Sequence, residues 1–134
     1  MLPTLLIVED ERATREGLRS ALEDEFEVYT AAGIAEALAI LKSESIKILL
    51  TDLRLGGDSG MDLLDAALAL PEPPVAIMMT AYGSVDTAVE AMRRGAWHFV
   101  IKPLNLDEVE LLLKRALRNR SLEKENHQLT QLVK

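Results

Sequence analysis

Short unbroken apolar runs alternate along this chain with stretches whose apolar residues fall at helical spacing, and few folds accommodate that order. Leu5-Leu6-Ile7-Val8 runs into Glu9-Asp10, Ile48-Leu49-Leu50-Thr51 into Asp52, Val75-Ala76-Ile77-Met78-Met79 into Thr80, and Phe99-Val100-Ile101 into Lys102-Pro103. A strand with no polar alternation must be covered on both faces, so these runs predict a parallel sheet built from βα units. The units read as strand 4–8 and helix 12–24, strand 26–31 and helix 34–43, strand 46–51 and helix 60–69, strand 75–80 and helix 84–95, then strand 97–101 and a last helix from about Asn105. Leu18, Ala21 and Leu22 share one helix face, as do Ala35, Leu38, Ala39 and Leu41 in the next. Ser84 is a good N-cap and Gly95 a good stop for the fourth helix. Residues 53–59 form a loop rich in Gly and Asp. Right-handed crossovers then set helices on both faces of a five-stranded, doubly wound α/β sheet.

Composition narrows the classes. With 49% hydrophobic and 28% charged residues in 134, the chain has the balance of a folded globular domain. No apolar stretch reaches the ~18 residues of a membrane span, and no basic segment precedes the first strand. The absence of cysteine excludes disulfides and thiolate metal sites and fits a cytoplasmic protein. Residues 1–113 carry 9 basic and 20 acidic side chains, whereas residues 114–134 carry 6 basic and 2 acidic. The acidic body argues against direct nucleic-acid contact by this domain. The basic tail has no aromatics and reads as a solvated helix.

In open parallel sheets, ligands bind outside the carboxyl ends of the strands. Three carboxylates, a hydroxyl and an ammonium therefore converge on one crevice. Each alone has a plain structural role: Glu9 and Asp10 as helix caps, Asp52 as a turn former, Thr80 as a strand end, Lys102 as a surface lysine. Together they are better explained by a site, because strand 26–31 ends in Thr30-Ala31-Ala32 with nothing chemical. Clustered carboxylates repel one another unless a cation intervenes. An oxygen-only donor set points to a hard ion, Mg²⁺, with Asp10 and Asp52 as direct ligands and Glu9 acting directly or through water. Carboxylate-held metal beside a lysine and a hydroxyl is equipment for phosphoryl transfer, and Asp52, heading the flexible loop, is the best nucleophile.

The set Glu9-Asp10, Asp52, Thr80-Ala81, Lys102-Pro103 resembles the receiver domain of two-component response regulators, with its CheY-like, flavodoxin-type fold. That resemblance implies strand order 2-1-3-4-5 and a phosphoacceptor Asp52 served by a sensor histidine kinase, and makes the domain a regulatory one, not an enzyme. It also implies Mg²⁺ bound by Glu9, Asp10, Asp52 and the backbone carbonyl of Arg54, with Lys102 pairing with the phosphoryl oxygens. Thr80 would move to bond the phosphate, Phe99 would be the aromatic switch, Ala81 would leave the phosphoryl group accessible, and Pro103 would be the cis proline. One position departs from the family pattern. Leu55-Gly56 stands where the family has Met-Pro, which predicts a less rigid loop, while Gly60 matches the glycine that closes it. A phosphatase of the haloacid-dehalogenase type would need an Asp at position 54. A flavodoxin-like cofactor binder would need a phosphate cradle where Glu9-Asp10-Glu11 would repel one.

Thr80 to Val89, Gly95-Ala96 and Leu122 to Leu129 are similar to the receivers and linker helices of NtrC-type transcriptional activators. In that class an ATPase domain and a DNA-binding domain of the same chain would follow residue 134. The expected division is a receiver at 1–118 and a helical, coiled-coil linker at 119–134; a stand-alone receiver docking on a partner protein is the alternative. No Gly or Pro falls between Leu106 and Val133, so one helix could extend about 40 Å. Leu112, Asn119, Asn126 and Val133 recur every seven residues, with Leu122 and Leu129 at the complementary offset. This register predicts a parallel homodimer whose buried asparagines fix the alignment. His98 and His127 have no partner pattern, Met78-Met79 reads as strand core, and Trp97 as packing at a strand edge.

Overall fold

The computed structural model describes residues 2–81 and 85–133, and the side chains of 2–81 and 86–119. Five strands, β1 (Thr4–Val8), β2 (Glu27–Ala31), β3 (Ile48–Asp52), β6 (Val75–Thr80) and β7 (His98–Ile101), form one parallel sheet in the order β2-β1-β3-β6-β7. A two-residue ribbon, β4 (Arg54–Leu55) with β5 (Asp58–Ser59), follows β3. Without that ribbon the sheet order is 2-1-3-4-5. Around the sheet lie α1 (Arg12–Leu22), α2 (Ile34–Ser43), α3 (Gly60–Leu68), α4 (Val85–Arg93) and α5 (Leu106–Val133). Among the described residues no helix is long and apolar enough to cross a membrane.

The unbroken apolar runs are strands with both faces covered. Leu5, Ile7, Ile48, Leu50, Ile77 and Met79 pack beneath α1 and α5 with Leu18, Leu22, Val109 and Leu113. Their neighbours Leu6, Val8 and Leu49 face the other way, against Ala37 and Leu41 of α2 and Leu63 and Ala67 of α3. Ala76 and Met78 complete that side with Leu64 and Ala91. Every residue from Leu5 to Val8 and from Ile48 to Leu50 is fully buried.

Local chemistry sets the boundaries. Helix α1 stops at Leu22, two residues before the expected end, because Glu25 and Phe26 both donate their amides to the Leu22 carbonyl and turn Phe26 into the core. Ser59 caps α3 through its hydroxyl, and Asn105 caps α5 by accepting from the amides of Asp107 and Glu108. Gly95 follows α4 at φ 116°, a conformation that glycine alone enters cheaply. The expected cap Ser84 lies outside the described residues.

Helix α5 differs from expectation near its start. Leu112, assigned to a dimer seam by the heptad spacing, is buried in this chain's own core beside α1 and the sheet. A seven-residue apolar repeat cannot by itself distinguish an intramolecular stripe from an intermolecular one, and here the sheet takes that residue. Asn119 is half-buried and lines a groove with Pro73, Pro74 and Trp97. The side chains of Leu122, Asn126, Leu129 and Val133 lie outside those described.

Candidate functional site

Parallel strands end on one edge, and their register brings the polar residues level. Val8 lies opposite Thr51, Asp52 opposite Met79, and Thr80 opposite Ile101. Glu9-Asp10, Asp52, Thr80 and Lys102 thus stand side by side across four strands. The ladder continues just past the strands, where Lys102 N donates to the Thr80 carbonyl at 2.8 Å and Leu53 N to that of Met79 at 3.0 Å. Edge strand β2 contributes no chemistry; its Ala31 carbonyl only accepts the Glu9 amide.

A crevice of about 240 Å³ opens at this edge, lined by Asp10, Asp52, Thr80, Ala81 and Lys102. Beneath it Glu9 is completely buried, while Asp52 keeps 8% of its surface exposed. The Lys102 ammonium bridges the two, 2.5 Å from Glu9 Oε1 and 2.5 Å from Asp52 Oδ2. Burial holds the Glu9 carboxyl above its ordinary pKa, assisted by the negative charge of Asp52 and opposed by the Lys102 bond. For Lys102, burial works downward, but its bonds and attraction to Asp52 and Glu9 outweigh that and hold the ammonium above its ordinary value.

Three carboxylate oxygens, one each from Glu9, Asp10 and Asp52, lie within 4.8 Å of one another. Asp52 Oδ1 accepts the Arg54 amide at 2.9 Å and Asp10 Oδ2 the Gly56 amide at 3.0 Å. These bonds hold both carboxylates at the crevice. An all-oxygen donor set at an open crevice fits a hard divalent cation such as Mg²⁺.

The loop after β3 is shaped around this site. Gly56 has φ 64°, and its amide makes the bond to Asp10. A proline there could neither adopt that conformation nor donate. The loop is held instead by the ribbon pairs Arg54–Ser59 and Leu55–Asp58 and by buried Leu55. Gly60 is required sterically, since a Cβ would sit 2.2 Å from the Asp52 carbonyl oxygen.

The remaining expected residues divide. Thr80, 2% exposed, has its hydroxyl 3.4 Å from the Ala81 carbonyl, a long contact. Arg54 lines the crevice, and the Lys102–Pro103 bond is cis. Phe99 does not line the crevice; it is half-buried against the cluster of Leu53, Met61 and Met78, with the His98 ring 5.9 Å away. Two residues near the site carried no sequence signal. Thr87, exposed on α4, brings a second hydroxyl to the crevice. Arg15 reaches back from α1 to the Glu9 carbonyl at 2.8 Å. On a helical wheel Arg15 falls beside Leu18 and Leu22, where a long basic side chain signals only a covered stem, and Thr87 flanks the buried Ala88 and Ala91.

Residues 5–114 match the response regulator receiver domain family. The chain belongs to that family. This receiver is 41% identical over 122 residues to the response regulator protein PilR of Pseudomonas aeruginosa, covering 90% of the chain and 27% of PilR. It is 38% identical over 130 residues to the regulatory protein AtoC of Escherichia coli, covering 96% of the chain and 28% of AtoC. Among solved structures, NtrX from Brucella abortus superposes with a TM-score of 0.89 at 34% identity, over 96% of this chain and 30% of NtrX. These relatives place the receiver with regulators of the NtrC class, and the chain spans just over a quarter of the length of the curated ones.

Proposed function

We propose that this receiver accepts a phosphoryl group on Asp52 from a sensor histidine kinase, in a Mg²⁺-dependent step, and answers by changing how it pairs and what it presents to an output domain. The observation that carries this is the position of Asp52, nearly buried and 2.5 Å from the Lys102 ammonium, with two further carboxylates close enough to share a cation. A carboxylate oxygen of Asp52 attacks phosphorus, the bond to the donor's nitrogen or oxygen breaks, and the donor keeps that electron pair. Asp10, Asp52, Glu9 and the Arg54 carbonyl would hold Mg²⁺, which when bound neutralises charge on the phosphoryl oxygens. Lys102 exchanges its carboxylate partner for a phosphoryl oxygen, Thr80 turns to donate to another, and Ala81 leaves the approach open. Phe99 then turns inward into space that Thr80 vacates, reshaping the face made by α4, β7 and the start of α5.

In this proposal residues 1–118 are the receiver and 119–134 a helical linker that pairs two chains through Asn119, Leu122, Asn126, Leu129 and Val133. Phosphorylation would select between two pairings in the cytoplasm. An ATPase domain and a DNA-binding domain of the same chain would be the output, as befits relatives whose names describe transcriptional regulators. The test is incubation with a small acyl-phosphate donor and Mg²⁺, followed by intact-mass measurement. One added phosphoryl group on the wild-type chain, absent in Asp52→Asn, is the expected result. Full labelling of Asp52→Asn overturns the assignment.

A further inference from the structure

Helix α1 begins without a side-chain bond to its free backbone amides. Glu11 at its N-cap makes no side-chain capping bond, and the first turn carries no acid to complement the helix dipole. The turn that must begin here is also the one bearing Glu9 and Asp10. Thr14 Oγ1 donates to Glu11 Oε1 at 2.6 Å and the Glu11 amide to Glu9 Oε2 at 3.4 Å, and a further bond comes from the next turn. The half-buried Arg15 sends Nη1 back to the Glu9 carbonyl oxygen at 2.8 Å, while the Glu9 amide is fixed on the other side by the Ala31 carbonyl at 3.0 Å. The Glu9 carbonyl belongs to the peptide joining Glu9 to Asp10, so the guanidinium ties α1 to the stretch of backbone between the two carboxylate-bearing residues.

We propose that Arg15 is a positioning residue for the Glu9-Asp10 pair and sets the cation affinity of the crevice without touching the cation. The proposal rests on the crevice being a Mg²⁺ site. Groups that orient metal ligands from behind commonly change affinity by about 10–100-fold when removed. Positioning and plain charge predict opposite signs here. If Arg15 acted only as a nearby positive charge, removing it would tighten a cation site; if it orients the carboxylates, removing it weakens the site.

Calorimetric titration of the whole chain with Mg²⁺ alone decides between them, using wild type, Arg15→Ala, Arg15→Met, Arg15→Lys and Arg19→Ala. Arg19 lies one turn further along the exposed side of α1 and serves as the charge control. The expected result is roughly tenfold weaker binding in Arg15→Ala, substantial recovery in Arg15→Lys, and no weakening in Arg19→Ala. Arg15→Met keeps the stem without the donor and should weaken binding like alanine, which preserves the test if the alanine variant folds poorly. Unchanged or tighter binding in Arg15→Met, or equal weakening in Arg19→Ala, overturns the role of Arg15 while leaving the metal site standing. A wild-type chain that binds no Mg²⁺ overturns the metal site itself, and the role of Arg15 with it.

Discussion

The Lys102 ammonium stands 2.5 Å from a Glu9 carboxylate that is wholly removed from water. With its second bond to Asp52, it occupies the position of a counter-ion between two carboxylates that a divalent cation would also bridge. If the crevice holds Mg²⁺ as proposed, lysine and metal draw on the same two carboxylates. Lys102→Met should bind Mg²⁺ several-fold more tightly than wild type in a calorimetric titration, yet its α4–β7–α5 face should show no change in hydrogen exchange on phosphorylation. Weaker Mg²⁺ binding would mean that Lys102 supports the metal site.

Glu9 makes stability depend on pH in a definite direction. Its folded pKa lies above its unfolded value, so the native state holds the proton more strongly. Without metal, the contribution of Glu9 to stability is fully present below the unfolded value of 4.5 and is lost as pH rises from there through the folded pKa. The melting temperature of wild type relative to Glu9→Gln should decline across that window. Adding Mg²⁺ at ten times its Kd should restore about 1.4 kcal/mol at neutral pH. A flat difference profile contradicts the assigned burial cost.

Gly60 tests steric closure of the loop. In Gly60→Ala the added carbon meets the Asp52 carbonyl oxygen at 2.2 Å and Leu53 Cα at 2.9 Å, both backbone atoms. Urea unfolding should show a loss of about 3 kcal/mol, near the upper end of ordinary overpacking. A loss below about 1 kcal/mol would mean that the loop relaxes freely.

Gly56→Pro inserts the residue that the family usually has and should nevertheless do harm. It removes the amide bonded to Asp10 and forbids φ 64°. Expected are a stability loss above about 1 kcal/mol and Mg²⁺ binding weakened by roughly tenfold. Improvement in both would show that the loop readily takes up the usual family conformation.

Association tests the tail. Sedimentation of the 134-residue chain against a version ending at Arg118 should show self-association only in the longer form. A zipper this short would depend on the bodies it joins, since isolated helices of this length are marginal. Two monomeric species at tens of micromolar would remove the tail as a pairing element.

How much was legible in the sequence follows the physics of each signal. Strands β1, β3 and β6 announce themselves because both faces are buried, leaving no polar break in the runs. The polar residues at their ends were identifiable as a group because parallel strands share an edge. Arg15 was not legible: a bond from a helix residue to a carbonyl six positions earlier leaves no periodic trace. Thr87 was invisible because its approach to the crevice depends on how α4 sits on the sheet. Leu112 shows the converse, since its spacing suits both the core it occupies and the seam expected of it. The ribbon after β3 escaped notice because two-residue pairings carry no pattern, though Gly56 and Gly60 marked where the backbone had to be unusual.

Helix α5 seals one face of the sheet and also leads out of it. Val109, Leu113 and Ala116 are anchored in the core, and the same helix runs on to Val133 without a Gly or Pro. It begins a few residues after Lys102 and contains no elbow at which motion could be absorbed. A roll imparted where it leaves β7 would reach the far end as rotation about a single axle to the extent that the helix stays unbroken. Two such axles held side by side would convert a small turn in each body into a change in which sides of the shafts meet.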